Sequence, residues 1–96
     1  MTAARTVIIE AQGGPEVLRL AEREVPPPGP GEVTIAQAAC GLNFIDVYQR
    51  SGVYPMALPS GLGLEGAGTV TAVGAGVAHL SPGMRVAYAG GPPGAY

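Results

Sequence analysis

The residues able to do chemistry concentrate between Gly41 and Pro55, in the stretch GLNFIDVYQRSGVYP. Asn43 brings a carboxamide, at once donor and acceptor, Asp46 a carboxylate, and Tyr48 and Tyr54 a phenol each. Phe44 adds a further flat ring. Hydrogen-bond donors beside aromatic faces are equipment for polarising a carbonyl oxygen and stacking on a planar molecule. The same residues also have a structural use. Phe44, Val47 and Tyr48 stand at i, i+3 and i+4, which predicts a short helix over Asn43–Arg50 with Gly52 as its C-cap. On that helix Asn43 is a favoured N-cap, and Asp46, three residues on, is a capping-box partner at the positive end. Tyr48 equally fits a helix face packed on a core. The residues alone leave capping and chemistry as alternatives that can coexist.

Other chemical candidates are weaker. Gly61-Leu-Gly63-Leu-Glu-Gly66 matches the dinucleotide pattern G-x-G-x-x-G in form only. That pattern needs a strand before it, a helix after it, and an acid about 20 residues on. Here Pro55 and Pro59 precede it, a Thr/Val run follows, and no acid occurs after Glu65. The single cysteine, Cys40, excludes an internal disulfide and a cysteine metal cluster, and is expected as a small buried residue. His79 is expected in an exposed loop. Glu65, in an apolar glycine-rich run, is expected to need a partner on burial, supplied from outside these residues.

The elements that must position these groups are mostly short strands. Arg5–Glu10 is β-branched and ends at the turn Gln12–Pro15; Val17–Val25 alternates apolar and charged residues, as an edge strand paired with the first would. Pro26–Gly31 (PPPGPG) interrupts any ladder, Glu32–Ala39 resumes as a strand, and Pro55 and Pro59 hold an extended loop. Glu65–Val73 and Arg85–Ala89 are two further strands around the turn Ser81–Met84. This pattern predicts a small, mostly antiparallel β-barrel with one short helix.

Composition supports a folded domain. Sixteen glycines and ten prolines would fit a low-complexity chain, but 47% of residues are hydrophobic and 12% charged, the reverse of a disordered composition. Ninety-six residues allow one domain. A net charge of −2 without a basic stripe argues against nucleic acid. No run is long and apolar enough for a membrane helix or a signal peptide, so no membrane partner and a cytoplasmic location are expected.

Taken in order, GLNFIDVYQRSGVYP, then Gly63-Leu-Glu65-Gly66-Ala-Gly68-Thr-Val, then Gly83-Met-Arg85-Val-Ala-Tyr88, resemble the zeta-crystallin-like NADPH:quinone oxidoreductases of the medium-chain dehydrogenase/reductase superfamily. The opening Gly14-Pro15-Glu16-Val17-Leu18 is similar too, so the resemblance covers nearly the whole chain. It implies that residues 1–96 are the N-terminal portion of a GroES-like catalytic, substrate-side domain, incomplete here, with the Rossmann NADPH domain absent. The activity implied is hydride transfer from NADPH to a quinone without zinc. In the zinc-dependent alcohol-dehydrogenase branch a Cys stands where Asn43 stands and a His where Leu64 stands, and neither residue here is a zinc ligand. No metal site is therefore expected. The resemblance further implies Asn43, Asp46 and Tyr48 as catalytic residues, Phe44 and Tyr54 in the substrate and cofactor cleft, and Asn43 also in contact with the cofactor. Another zinc-free reductase of the enoyl-reductase type and a stand-alone GroES-like binding module are the competing readings. The 96-residue chain alone is expected to be inactive and to self-associate through unpaired strand edges.

Overall fold

A computed structural model describes residues 2–96. Strand β1 (Thr2–Ile9) carries the β-branched run Thr6-Val7-Ile8-Ile9 and pairs antiparallel with β2 (Arg19–Val25), from Thr2↔Val25 to Ile8↔Arg19. Between them Pro15–Val17 forms a 3₁₀ turn, so the second strand starts two residues later than the alternation predicts. Proline presets the backbone dihedral of the first helical position, which favours the turn there. A two-residue strand, β4 (Ser60–Gly61), lies on the other edge of β1, giving a three-stranded sheet ordered β2-β1-β4.

The second sheet, ordered β3-β5-β6, uses β3 (Val33–Cys40), β5 (Glu65–Val73) and β6 (Arg85–Ala89), all antiparallel. Its ladder slips between Thr34 and Ile35 and again between Gln37 and Ala39. A side chain at Gly68 would run into the Ala36 carbonyl across the β3–β5 pairing, so glycine permits this close approach.

Helix α1 (Phe44–Ser51) has Asn43 as N-cap and Gly52, at φ 94°, as a left-handed C-cap, as the spacing predicts. The mostly-β class with one short helix is as expected. A closed barrel is not formed among the described residues, because no strand ladder joins one sheet to the other. The final residues make the bridge instead. The Val7 N–H of β1 donates to the Tyr96 carbonyl at 3.4 Å, and the Cys40 thiol of β3 donates to the Ala95 carbonyl at 2.8 Å.

The fully buried set is small: Ile9, Leu62, Val70 and Ala95, with Thr6 and Asp46 as buried polar residues. Ile9, Leu62, Thr6 and Ala95 lie where β1, the Leu62 segment and the final residues meet, and Tyr96 links this group to Asp46 at the helix N-terminus, whereas Val70 is buried in β5 opposite Ile35.

Candidate functional site

Helix α1 presents two different faces. Asp46 is its one buried residue, at 3% exposure, whereas Phe44 is 79% exposed and Tyr48 39%. The apolar i, i+3, i+4 stripe therefore faces solvent rather than a core, contrary to the packing alternative for Tyr48. The rings instead pack on one another. Phe44 and Tyr48 stack at 6.5 Å between centroids, and Tyr48 meets Tyr54 edge-on at 5.4 Å. Both spacings lie in the range for favourable aromatic pairs. The result is an exposed aromatic surface of Phe44, Tyr48 and Tyr54.

Beside it lies a polar cluster at the helix N-terminus. The Asn43 N–H donates to Asp46 Oδ2 at 3.0 Å, which is the reciprocal bond of a capping box. The Tyr96 hydroxyl also donates to Asp46 Oδ2, and lies 3.3 Å from the Gly41 carbonyl. Asp46 Oδ1 is buried without a hydrogen-bond partner among the described residues. Burial, then the hydrogen bond to Asp46 and its charge, push the Tyr96 phenol above the ordinary tyrosine range; the charges of Cys40 and Glu65 add to this. Asp46 is thus held as an acceptor by groups that stay protonated, which suits positioning better than proton exchange.

The Asn43 side chain points away from this buried centre. Its Nδ2 donates to Glu65 Oε2 at 2.8 Å, at the start of β5. That bond uses one amide hydrogen and leaves the other for a ligand, while Oδ1 faces the Asp46 N–H in the capping box. Glu65 is exposed, and its partner lies within the chain, which corrects the expectation of a buried carboxylate waiting for a group elsewhere. Gly41 makes the room: a Cβ there would come within 2.5 Å of the Glu65 carboxyl carbon. Glu65 and Gly41 also line a cleft of about 570 Å³ between β3, β5 and β6, together with Cys40 and Tyr88. Cys40 is exposed there rather than buried, because the second half of β3 is not covered by the other sheet; its thiol donates to the Ala95 carbonyl at 2.8 Å.

The structure thus joins Asn43 to Asp46 through the cap and groups Phe44, Tyr48 and Tyr54 through their rings. No hydrogen bond between described residues links either phenol to Asn43. Tyr96 and Glu65, the partners that hold Asp46 and Asn43, are missed as site residues by sequence reasoning. Tyr96 lies 50 residues from Asp46 in a glycine- and proline-rich segment, where no local pattern marks it. His79 is exposed, as expected, and no three His, Cys, Asp or Glu residues cluster among the described residues. The formal G-x-G-x-x-G stretch runs from β4 into β5 with no helix after it, so it lacks the context for binding phosphates.

Comparison with known proteins agrees with this architecture. Residues 29–94 match the model of the alcohol dehydrogenase GroES-like domain. Over 94 residues the chain is 55% identical to a quinone oxidoreductase from Pseudomonas aeruginosa, covering 97% of this chain and 29% of that protein. Its fold superposes on the Escherichia coli quinone oxidoreductase complexed with NADPH with a TM-score of 0.93 and 47% identity, over 96% of this chain and 28% of that one. The Pseudomonas syringae quinone oxidoreductase gives a TM-score of 0.91 at 52% identity, over 98% of this chain and 29% of that one. The chain therefore spans under a third of the length of these relatives. On the extent of the family match and the likeness in fold, the chain belongs to the alcohol dehydrogenase GroES-like domain family.

Proposed function

We propose that this chain is the substrate-side part of an NADPH-dependent quinone reductase that works without zinc. The observation that carries the reading is the juxtaposition at α1: an amide anchored on Glu65 stands beside an exposed surface of three aromatic rings. The flat faces of Phe44, Tyr48 and Tyr54 suit a planar ring, and the free N–H of Asn43 suits a quinone or carboxamide oxygen. The names of the similar proteins support the same assignment.

The residues present fit only one end of the cofactor. Asn43 keeps one amide N–H free, a partner for the oxygen of a nicotinamide carboxamide, while Arg50, the one cation on α1, already donates to the Gly13 carbonyl at 2.6 Å. No glycine-rich loop opens a helix here, so in this reading the phosphates are held by a nucleotide-binding domain outside these residues. NADPH supplies the hydride when bound. The chain's own part is to seat the ring on Tyr48 and Tyr54, to donate from Asn43 to the oxygen where charge develops, and to hold that donor still through Glu65 and Asp46. Asn43 and Leu64 occupy the positions where the resemblance places zinc ligands in the metal-dependent branch, and neither side chain coordinates zinc.

The test uses the full-length protein, with NADPH oxidation followed against a quinone series and an enone series in metal-free buffer. The reading expects quinone-dependent turnover and well under one zinc per chain. A strong preference for enones would favour the enoyl-reductase alternative, and a tightly held equivalent of zinc would overturn the zinc-free assignment.

A further inference from the structure

The last carbonyls of any helix lack partners within it, and α1 must find them elsewhere. It finds them far away in sequence. Gln12 Nε2 donates to the Gln49 carbonyl at 2.8 Å and also to the Tyr54 carbonyl at 2.8 Å, spanning 37 and 42 residues. Its neighbour completes a clamp: the Gly13 N–H donates to the Arg50 carbonyl at 2.8 Å, and Arg50 Nη1 donates back to the Gly13 carbonyl at 2.6 Å. The Tyr54 N–H closes on the Tyr48 carbonyl at 3.1 Å. One carboxamide therefore ties the end of the helix that carries Tyr48 to the loop that carries Tyr54. The edge-on contact of those rings, at 5.4 Å and 67°, is set across this bridge. Gly52, at φ 94°, turns the chain against Gln12, with room for a Cβ only 3.6 Å from the Gln12 side chain.

We propose that Gln12 is a positioning residue for the Tyr48–Tyr54 pair, and that it sets how well the pair accepts a planar substrate ring. The inference rests on the reading of those rings as the quinone surface. Gln12 touches neither ring in this role; it fixes the two backbone points from which they project. A carboxamide suits the task because its two N–H hydrogens lie in one plane and reach two carbonyls at once.

The experiment measures steady-state kinetics of the full-length protein for wild type, Gln12→Glu, Gln12→Ala and Tyr54→Leu, with melting temperatures alongside. Gln12→Glu keeps the shape but replaces both donors with oxygens facing carbonyls. The KM for quinone is expected to rise roughly tenfold, the scale of one lost hydrogen bond. The KM for NADPH and kcat should stay within about twofold, since a displaced ring loses binding common to ground and transition states. A purely structural role would instead lower kcat and the melting temperature together, with both KM values moving. If Gln12→Glu does not fold, Gln12→Ala carries the same comparison. An unchanged quinone KM in the folded Gln12 variant, while Tyr54→Leu raises it, overturns the positioning role and leaves the ring surface standing. No change in Tyr54→Leu overturns the ring surface itself, and the inference with it.

Discussion

Asp46 offers a quantitative test of the polar cluster, because one truncation and one isosteric change separate what it holds from what it costs. Its carboxylate is 3% exposed, takes the Asn43 N–H at 3.0 Å and the Tyr96 hydroxyl on one oxygen, and leaves the other without a partner among the described residues. In Asp46→Ala the capping bond is lost, worth about 1 kcal/mol. The Tyr96 hydroxyl loses a charged acceptor, worth about 1.5–3 kcal/mol, though the Gly41 carbonyl at 3.3 Å remains near it. The sum is roughly 3 kcal/mol, or a fall of about 4–5 °C in melting temperature for a protein of about 300 residues. Asp46→Asn keeps an acceptor oxygen for both donors. Its two bonds weaken, but the charge with an unpartnered oxygen no longer has to be desolvated, a cost of several kcal/mol in its own right. The net change should stay within about 1 kcal/mol, a shift of under about 2 °C. Calorimetry of the full-length protein and both variants reads this directly. If Asp46→Asn falls as far as Asp46→Ala, the carboxylate charge itself is essential and the acceptor argument fails. If Asp46→Ala falls by under about 2 °C, the cluster contributes nothing and the hydrogen-bond reading is wrong.

Other expectations follow from the same structure. The raised Tyr96 phenol binds its proton more tightly folded than unfolded, so its contribution is full below the unfolded phenol range and is lost as pH climbs from there through the higher folded value. Urea melts should therefore show stability falling above about pH 10, with a shallower alkaline slope in Tyr96→Phe; equal slopes would contradict the assignment. Gly68→Ala should cost about 1–3 kcal/mol, since the new methyl meets the Ala36 carbonyl carbon within 2.9 Å; an unchanged melting temperature would mean the β3–β5 ladder shifts freely. The 96-residue chain alone should self-associate, because β2 and β6 are edge strands and Leu20 is 77% exposed. Light scattering that finds only monomer at high concentration would count against this.

Much of this architecture was legible in residue order, for identifiable reasons. Strands β5 and β6 run over the residues their β-branched and alternating runs predict, because glycine and proline punctuate both ends. Asn43 and Gly52 mark the helix ends, since both positions have backbone demands that few residues meet. Strand β4 was not legible: two residues carry no periodicity, and Ser60–Gly61 becomes a strand only because β1 lies beside it. The site was legible in its residue types but not in its supports. Tyr96, Glu65 and Gln12 act through contacts 22 to 50 residues away, and such pairings leave no mark on local spacing. Cys40 shows the opposite error, for a small apolar residue reads as core until the fold shows which face is covered.

Whether Asn43 does more than cap its helix decides the function of this site. The most direct measurement is kcat for quinone reduction by full-length Asn43→Ser, taken with the melting temperature of the same preparation. Serine is an equal N-cap and gives up only the exposed bond to Glu65, so stability should be preserved within about 1 kcal/mol. Serine cannot present the amide donor beside the aromatic surface. Loss of a donor worth about 1.4 kcal/mol in the transition state should lower kcat by tenfold or more. Such a fall at unchanged melting temperature is the predicted result. An unchanged kcat would return Asn43 to a capping role alone and contradict the proposed site.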